Sequence, residues 1–228
     1  MKLGDPISSI ASSSEGEVWI TTQNSVLLKQ SDLTFKSPCE VVLTSHPERI
    51  NKIAFPFGFA EVFATCSVND IRIWNTKTRK EMLRIEVTGH ECLCLQFMPD
   101  GKSIISGWND GKVRAFLPQS GKLFYSINEA HPGQVTAIAG TGDSKKVMSG
   151  GVEGEIRIWR IGKQTQMLDT SVKEHKGSVS SIEINSSSTR AVSCSSDGSC
   201  IVWDMDSYTK ISLLREDNNF QDARFSSD

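Results

Sequence analysis

Apolar and polar residues alternate along this chain in short runs, with no sustained helical spacing. Between His175 and Asp204 there are three such runs, Val179–Ile184, Arg190–Cys194 and Cys200–Trp203. The tight turn Ser196-Asp197-Gly198 joins the second to the third. Alternation at period two places apolar side chains on one face of an extended strand, and an Asp-Gly turn lets two strands fold back on each other. The stretch therefore predicts a β-hairpin with a third strand beside it.

The same phase recurs upstream. The four histidines, His46, His90, His131 and His175, are spaced 44, 41 and 44 residues apart. Closing aromatics Trp74, Phe116, Trp159 and Trp203 follow at 42, 43 and 44. A hydroxyl four residues before a polar turn residue repeats as Thr65/Asn69, Ser106/Asp110, Ser149/Glu153 and Ser193/Asp197. The units run 46–89, 90–130, 131–174 and 175–217. Residues 1–45 form a degenerate first unit with strands at Pro6–Ala11, Glu17–Thr22, Ser25–Lys29 and Glu40–Leu43, and with Trp19 as a core residue. Residues 218–228 read as the first strand of another unit.

A period of 40–45 residues, opened by His and closed by Trp-Asp, resembles the WD-repeat propeller blade. The predicted fold is all-β: a WD-repeat β-propeller of about five blades plus the first strand of a sixth. A seven-bladed ring at this period needs about 300 residues, so the ring is expected to be incomplete and the chain to be part of a longer one. In such blades Trp, Ser/Thr, His and Asp form one buried hydrogen-bonded chain, because each buried polar group needs a partner. His, Ser and Asp together also suggest a nucleophilic triad, but an enzyme needs one triad and this set recurs in every unit. In the second unit the turn residue is Asn69 or Asp70. In the third, Asn109-Asp110-Gly111 reads as a type I′ turn, and Phe116 lacks the N–H that would reach Ser106. In the fourth, Glu153 stands in for Asp.

Composition narrows the function without choosing one. Among 228 residues, 23% are charged and the net charge is −2, which gives no electrostatic case for nucleic acid. The longest apolar run is far shorter than a membrane span. The N-terminus has no apolar signal core, which points to an intracellular protein. No phosphate loop, metal cluster or nucleophile elbow is present, so no cofactor, metal or small-molecule substrate is expected. Of the six cysteines, Cys66 and Cys194 share one repeat position as packed residues. Cys92 and Cys94 flank one strand residue and are expected to point the same way, near His90 but with no second pair for zinc. Cys194 and Cys200 face each other across a hairpin, free in a reducing compartment and able to bridge in an oxidising one.

Two segments go beyond a generic repeat: AFPFGFAEVFATCSVNDIRIWN (54–75) and FMPDGKSIISGWNDGKVRAFLPQSGKL (97–123). With EAHPGQVTAIA, GGVEGEIRIWRIGKQTQ and VKEHKGSVSSI following in order, they resemble the cilia- and flagella-associated WD-repeat proteins of motile axonemes. The resemblance covers roughly residues 46–205 and includes Phe116 in place of Trp. It implies a longer protein with two propellers, lodged inside ciliary doublet microtubules. Its role would be that of a non-enzymatic scaffold supporting motility. The expected partners are tubulin of the microtubule wall and other axonemal proteins, with no membrane or nucleic acid. The other reading is a WD-repeat adaptor, such as a ubiquitin-ligase substrate receptor or a signalling platform. Trp108, with Asn109, is the candidate partner-binding residue. It sits at a hairpin turn where it is either an exposed interface anchor or packed on a neighbouring blade.

Overall fold

The computed structural model of the chain describes residues 5–30, 39–42, 46–162 and 165–226. Among the described residues there are strands and no α-helix. The first sheet is β1 (Ile7–Ser12), β2 (Val18–Thr22), β3 (Leu27–Gln30) and β4 (Glu40–Val42), in that order. Leu43, expected to end β4, lies outside the described residues. Next come β5 (Lys52–Ala54), β6 (Val62–Cys66), β7 (Val68–Asn75), β8 (Glu81–Phe97), β9 (Ile104–Trp108), β10 (Val113–Phe116) and β11 (Leu123–Ile127). The last two sheets are β12 (Val135–Gly140), β13 (Lys146–Gly151), β14 (Ile156–Ile161), β15 (Gln166–Val172), and β16 (Val179–Ile184), β17 (Arg190–Ser195), β18 (Ser199–Asp204), β19 (Lys210–Arg215).

Within each sheet, sequence neighbours pair antiparallel, so each unit is a meander. The boundary expected at residues 89/90 is not a break in the strand. β8 runs through it, pairing with β7 through its first half and with β9 through its second, which fuses seven strands into one sheet. Gly89 passes the junction at φ 81, a conformation open to glycine, and its N–H is held by Asn69 Oδ1 at 2.7 Å.

The first strands of successive units lie side by side: β1 on β5, β5 on β8, β8 on β12 and β12 on β16. Each hydrophobic cluster therefore draws on two units. Trp19 and Leu27 pack with Phe63 and Trp74. Ile71 and Ile73 pack with Phe97 and Trp108, Cys94 and Val113 with Val135 and Trp159, and Met148 and Ile158 with Ile182 and Trp203. A unit has no core of its own; its faces are buried by its neighbours, at ~1.5–3 kcal/mol for each large apolar side chain. This is the layout of a β-propeller, and the sheets are not closed into a ring.

Residues 218–226 form no strand, yet they lie where the next first strand would. Ser180 Oγ donates to Phe220 O at 2.6 Å, and Phe225 N to Glu183 Oε2 at 2.6 Å. One unit earlier, Thr136 Oγ1 donates to Val179 O at 2.6 Å in the same way.

The turns differ from the expected type. At Asn109-Asp110-Gly111 only Gly111 has positive φ, 76°, whereas type I′ needs it at both central residues. Gly111 N donates to Trp108 O at 3.3 Å and Trp108 N to Lys112 O at 3.2 Å. This is a three-residue hairpin, a type I turn closed by a glycine bulge.

Candidate functional site

Four polar sets sit between β-strands at one end of the sheets, and each departs from the others in an informative way. The fourth unit is the simplest. Trp159 Nε1–H donates to Ser149 Oγ at 2.9 Å, and Ser149 lies 2.8 Å from His131 Nε2. His131 Nδ1 meets Glu153 Oε1 at 2.5 Å. A carboxylate only accepts, so Nδ1 carries the proton and Nε2 accepts from the serine hydroxyl. The N–H and O–H groups then point one way along the chain, from indole to carboxylate. Burial lowers the His131 pKa, against the opposing pull of Glu153.

In the fifth unit Trp203 Nε1–H donates to Ser193 Oγ at 2.8 Å, and Ser193 pairs with His175 Nε2 at 2.7 Å. His175 Nδ1 does not reach Asp197 directly, lying 3.8 Å away. Ser199 relays between them, 2.6 Å from Nδ1 and donating in turn to Asp197 Oδ1. Burial also lowers the His175 pKa. Burial pushes the Asp197 carboxyl up, but the backbone N–H groups of Lys176 and Ser199 and the Ser199 hydroxyl outweigh it and bring it to about 2.

In the second unit His46 Nε2 is 2.7 Å from Thr65 Oγ1, which accepts from Trp74 Nε1 at 2.8 Å. The turn residue is Asp70, not Asn69. Asp70 Oδ1 lies 3.2 Å from His46 Nδ1, though out of hydrogen-bond alignment. The one-residue-shorter turn puts Asn69 at φ 68, facing the Gly89 amide instead. Arg72 grips Asp70 Oδ2 with Nε at 2.8 Å and Nη2 at 2.7 Å. Burial raises the Asp70 pKa, and the His46 and Arg72 contacts more than offset it.

The third unit overturns one expectation, the loss of a donor to Ser106, and decides another, since Trp108 packs on the neighbouring unit. Ser106 does not lose its indole donor, because Trp108 Nε1–H supplies it at 2.8 Å from two residues along the same strand. Ser106 Oγ–H donates to the Arg114 carbonyl at 2.9 Å. Trp108 is therefore no exposed anchor: its relative exposure is 0%. It meets Phe116 edge-on at 6.5 Å and carries the Arg114 guanidinium over its ring at 5.1 Å. His90 is displaced outward, its side chain 38% exposed and 3.8 Å from Asp110 Oδ2. Arg114 clamps Asp110 from both Nη atoms, at 3.0 and 2.6 Å. Asn109, the other candidate for a partner, bridges to the neighbouring strand end: its Oδ1 accepts from Glu91 N at 3.0 Å and its N donates to Glu91 O at 3.0 Å.

Four contributors were not among the expected residues: Ser199 and the arginines Arg72, Arg114 and Arg157. Ser199 could not be told from any turn serine. Arg72, Arg114 and Arg157 all stand two residues before the closing aromatic, a spacing visible in the sequence. Arg157 pairs with Glu155 at 2.9 Å. Trp19 in the first unit is buried at 0% exposure, with Phe63 4.7 Å away. Cys92 and Cys94 do not point the same way: a bulge between them sends Cys92 into the cluster with Cys66 and Cys94 into the one with Val135. Cys194 and Cys200 are opposed in register, free, with sulfurs 3.4 Å apart. His131, Glu153 and Glu155 bring three ligand-type atoms together, but both His131 nitrogens and Glu153 Oε1 are committed to the fourth set.

Histidine, hydroxyl and indole groups linked at the same place in successive four-stranded meanders define a WD-repeat propeller protein. The WD domain, G-beta repeat family matches residues 81–116, 121–160 and 166–204, just over half of the chain, and the chain belongs to that family. Within it, the chain is similar to Cilia- and flagella-associated protein 52: 45% identical to that of Mus musculus and 46% to that of Homo sapiens, each over 97% of this chain. The protein of the same name from Chlamydomonas reinhardtii is 49% identical over 83% of it. The chain spans about a third of the length of these relatives (36%, 36% and 31%).

Proposed function

We propose that this chain is part of a cilium- and flagellum-associated WD-repeat protein that acts as a non-enzymatic scaffold of the axoneme. It binds the doublet-microtubule wall and neighbouring axonemal proteins and supports motility. The observation that carries this is the match to Cilia- and flagella-associated protein 52 across 97% of the chain. The site chemistry supports it: the histidines and hydroxyls that could do catalysis are spent, in three of the four sets, on holding strands together. A rigid arc of sheets presents loops to several partners at once, so modest contacts add through effective concentration. With a net charge of −2, attachment rests mainly on shape-matched, partly apolar contacts and weakens only slightly from low to physiological salt. No cofactor, nucleic acid, membrane or small-molecule substrate is part of this role. The test is localisation of the tagged full-length protein in ciliated cells. Retention on detergent-extracted, salt-washed axonemes is the expected result. Diffuse cytoplasmic signal over a bare axoneme, or co-purification with ubiquitin-ligase subunits in place of axonemal proteins, would sink it.

A further inference from the structure

The loop between β5 and β6 carries a feature that neither the propeller fold nor the polar sets use. Its sequence is Phe55-Pro56-Phe57-Gly58-Phe59-Ala60-Glu61. Phe55 turns inward onto the aromatic cluster, 6.0 Å from Trp19 and 5.6 Å from Phe63. Phe57 and Phe59 turn outward, 78% and 48% exposed, and Phe57 is the most exposed large apolar side chain among the described residues. The corresponding loops of the other units hold Ser13-Ser14-Glu15-Gly16, Pro99-Asp100-Gly101, Gly142-Asp143-Ser144 and Ser186-Ser187-Ser188, none with an aromatic.

The loop is clamped. Thr76 Oγ1 donates to Ala60 O at 2.8 Å and Thr76 N to Glu61 O at 2.9 Å. These bonds tie it to the β7–β8 turn. Gly58 makes the reversal at φ 69 with nothing within 4 Å of its Cβ position. Two phenyl rings are thus held in water on a fixed loop, which lowers the ordering cost of docking them. The adjoining turn carries exposed Lys77, Arg79 and Lys80. Lys77 leans on Glu61 at 3.8 Å and Arg79 on Glu40 at 2.6 Å. Three cations against two carboxylates leave the rim of the loop net positive.

We infer that Phe57 and Phe59 are a docking anchor for a protein partner whose surface offers an apolar pocket bordered by carboxylates. The rings fill the pocket, and Lys77, Arg79 and Lys80 set the register at its rim. This deepens the scaffold reading and rests on it for the existence of a partner. It places the anchor at the opposite end of the strands from Trp108 and Asn109.

The experiment adds tagged full-length protein to demembranated, salt-washed axonemes and compares wild type with Phe57→Ser/Phe59→Ser, Lys77→Glu/Arg79→Glu/Lys80→Glu and Phe57→Leu/Phe59→Leu. The serine pair is expected to weaken retention by roughly tenfold or more, the charge reversal by less, and the leucine pair to restore most of it. Unchanged thermal melts establish that the exposed substitutions leave the fold intact. Full retention of the serine pair, or tighter retention of the charge-reversed variant, overturns the anchor while leaving the scaffold reading standing. Absence of wild-type retention overturns both. Binding of the wild type to phosphatidylserine vesicles that the serine pair abolishes would assign the loop to a membrane and overturn the protein-docking inference.

Discussion

At the scale of single residues, the repeat of His, hydroxyl and aromatic was readable because identical chemistry recurred at a fixed period. What escaped was substitution within a set. Trp108 and Phe116 trade places as hydroxyl partner and apolar packer, and no spacing rule shows that an indole two residues along the same strand can reach Ser106. The exchange is testable. Trp108→Phe removes one buried N–H donor to Ser106 and should cost about 1–2 kcal/mol, whereas Trp108→Ala opens a cavity worth about 3–5 kcal/mol. Urea unfolding measures both, and a neutral Trp108→Ala would contradict its burial. His90→Ala should stay within about 0.5 kcal/mol, as at other exposed positions. His175→Ala should cost about 1–3 kcal/mol by stranding Ser193 and Ser199. The same burial sets the pH response. His131 and His175 bind protons less readily folded than unfolded, so the unfolded chain takes up protons first. Their stabilising effect is complete above about pH 6.5 and is lost as pH falls below it. Asp197, held at about 2 against an ordinary 3.8, adds stability that is lost as pH falls from about 4 to 2. Urea midpoints should therefore decline in two stages on acidification, and His175→Asn should flatten the first. Identical slopes for wild type and His175→Asn between pH 6.5 and 5 would count against this assignment.

At the scale of elements, alternation and turn residues located strands well, because the turn residues still bound each short run where, as in β9, every residue is buried and the alternation fades. The turn type did not follow, since Asp-Gly suits several hairpins and only the hydrogen-bond pattern separates them. The boundary expected at 89/90, placed where His90 opens a unit, falls where β8 changes partner from β7 to β9; the period does not show that Gly89 lets one continuous strand serve both units. The turn glycines do a second job invisible from sequence. A Cβ on Gly111 would lie 2.3 Å from His131 O, on Gly154 2.5 Å from His175 O, and on Gly198 2.2 Å from Glu216 O. Each turn is thus packed against the backbone that opens the following unit. Gly111→Ala and Gly154→Ala should each cost about 2–4 kcal/mol, from positive φ plus a backbone clash. Gly58→Ala, equally left-handed but with open space around it, should cost only about 1–2 kcal/mol. Thermal melts of the three variants check the ranking, and equal losses would show that conformation alone matters.

At the scale of the whole molecule, the number of units and their handing of cores from one sheet to the next followed from the period, whereas the surfaces did not. Phe57 and Phe59 fall between two strands of the second unit, and only the fold shows that the loop turns both rings to water. The terminal faces of the arc are similar in kind. On the last sheet Cys200, Val202 and Leu214 share one face by register, with Leu214 53% exposed, and all six residues of β19 are exposed. Interior sheets bury the equivalent face against a neighbour. A flat apolar sheet face beside an open strand edge favours association with another copy. The 228-residue chain by itself should therefore self-associate as its concentration rises, and sedimentation equilibrium should show the average mass climbing above 25.1 kDa. Val202→Lys with Leu214→Lys places two like charges on that face and should shift the equilibrium back toward monomer without lowering the melting temperature by more than a few degrees. A chain that stays monomeric at every concentration, or lysine variants that associate as strongly as the parent, would mean that the exposed face of β18 and β19 is not what brings copies together.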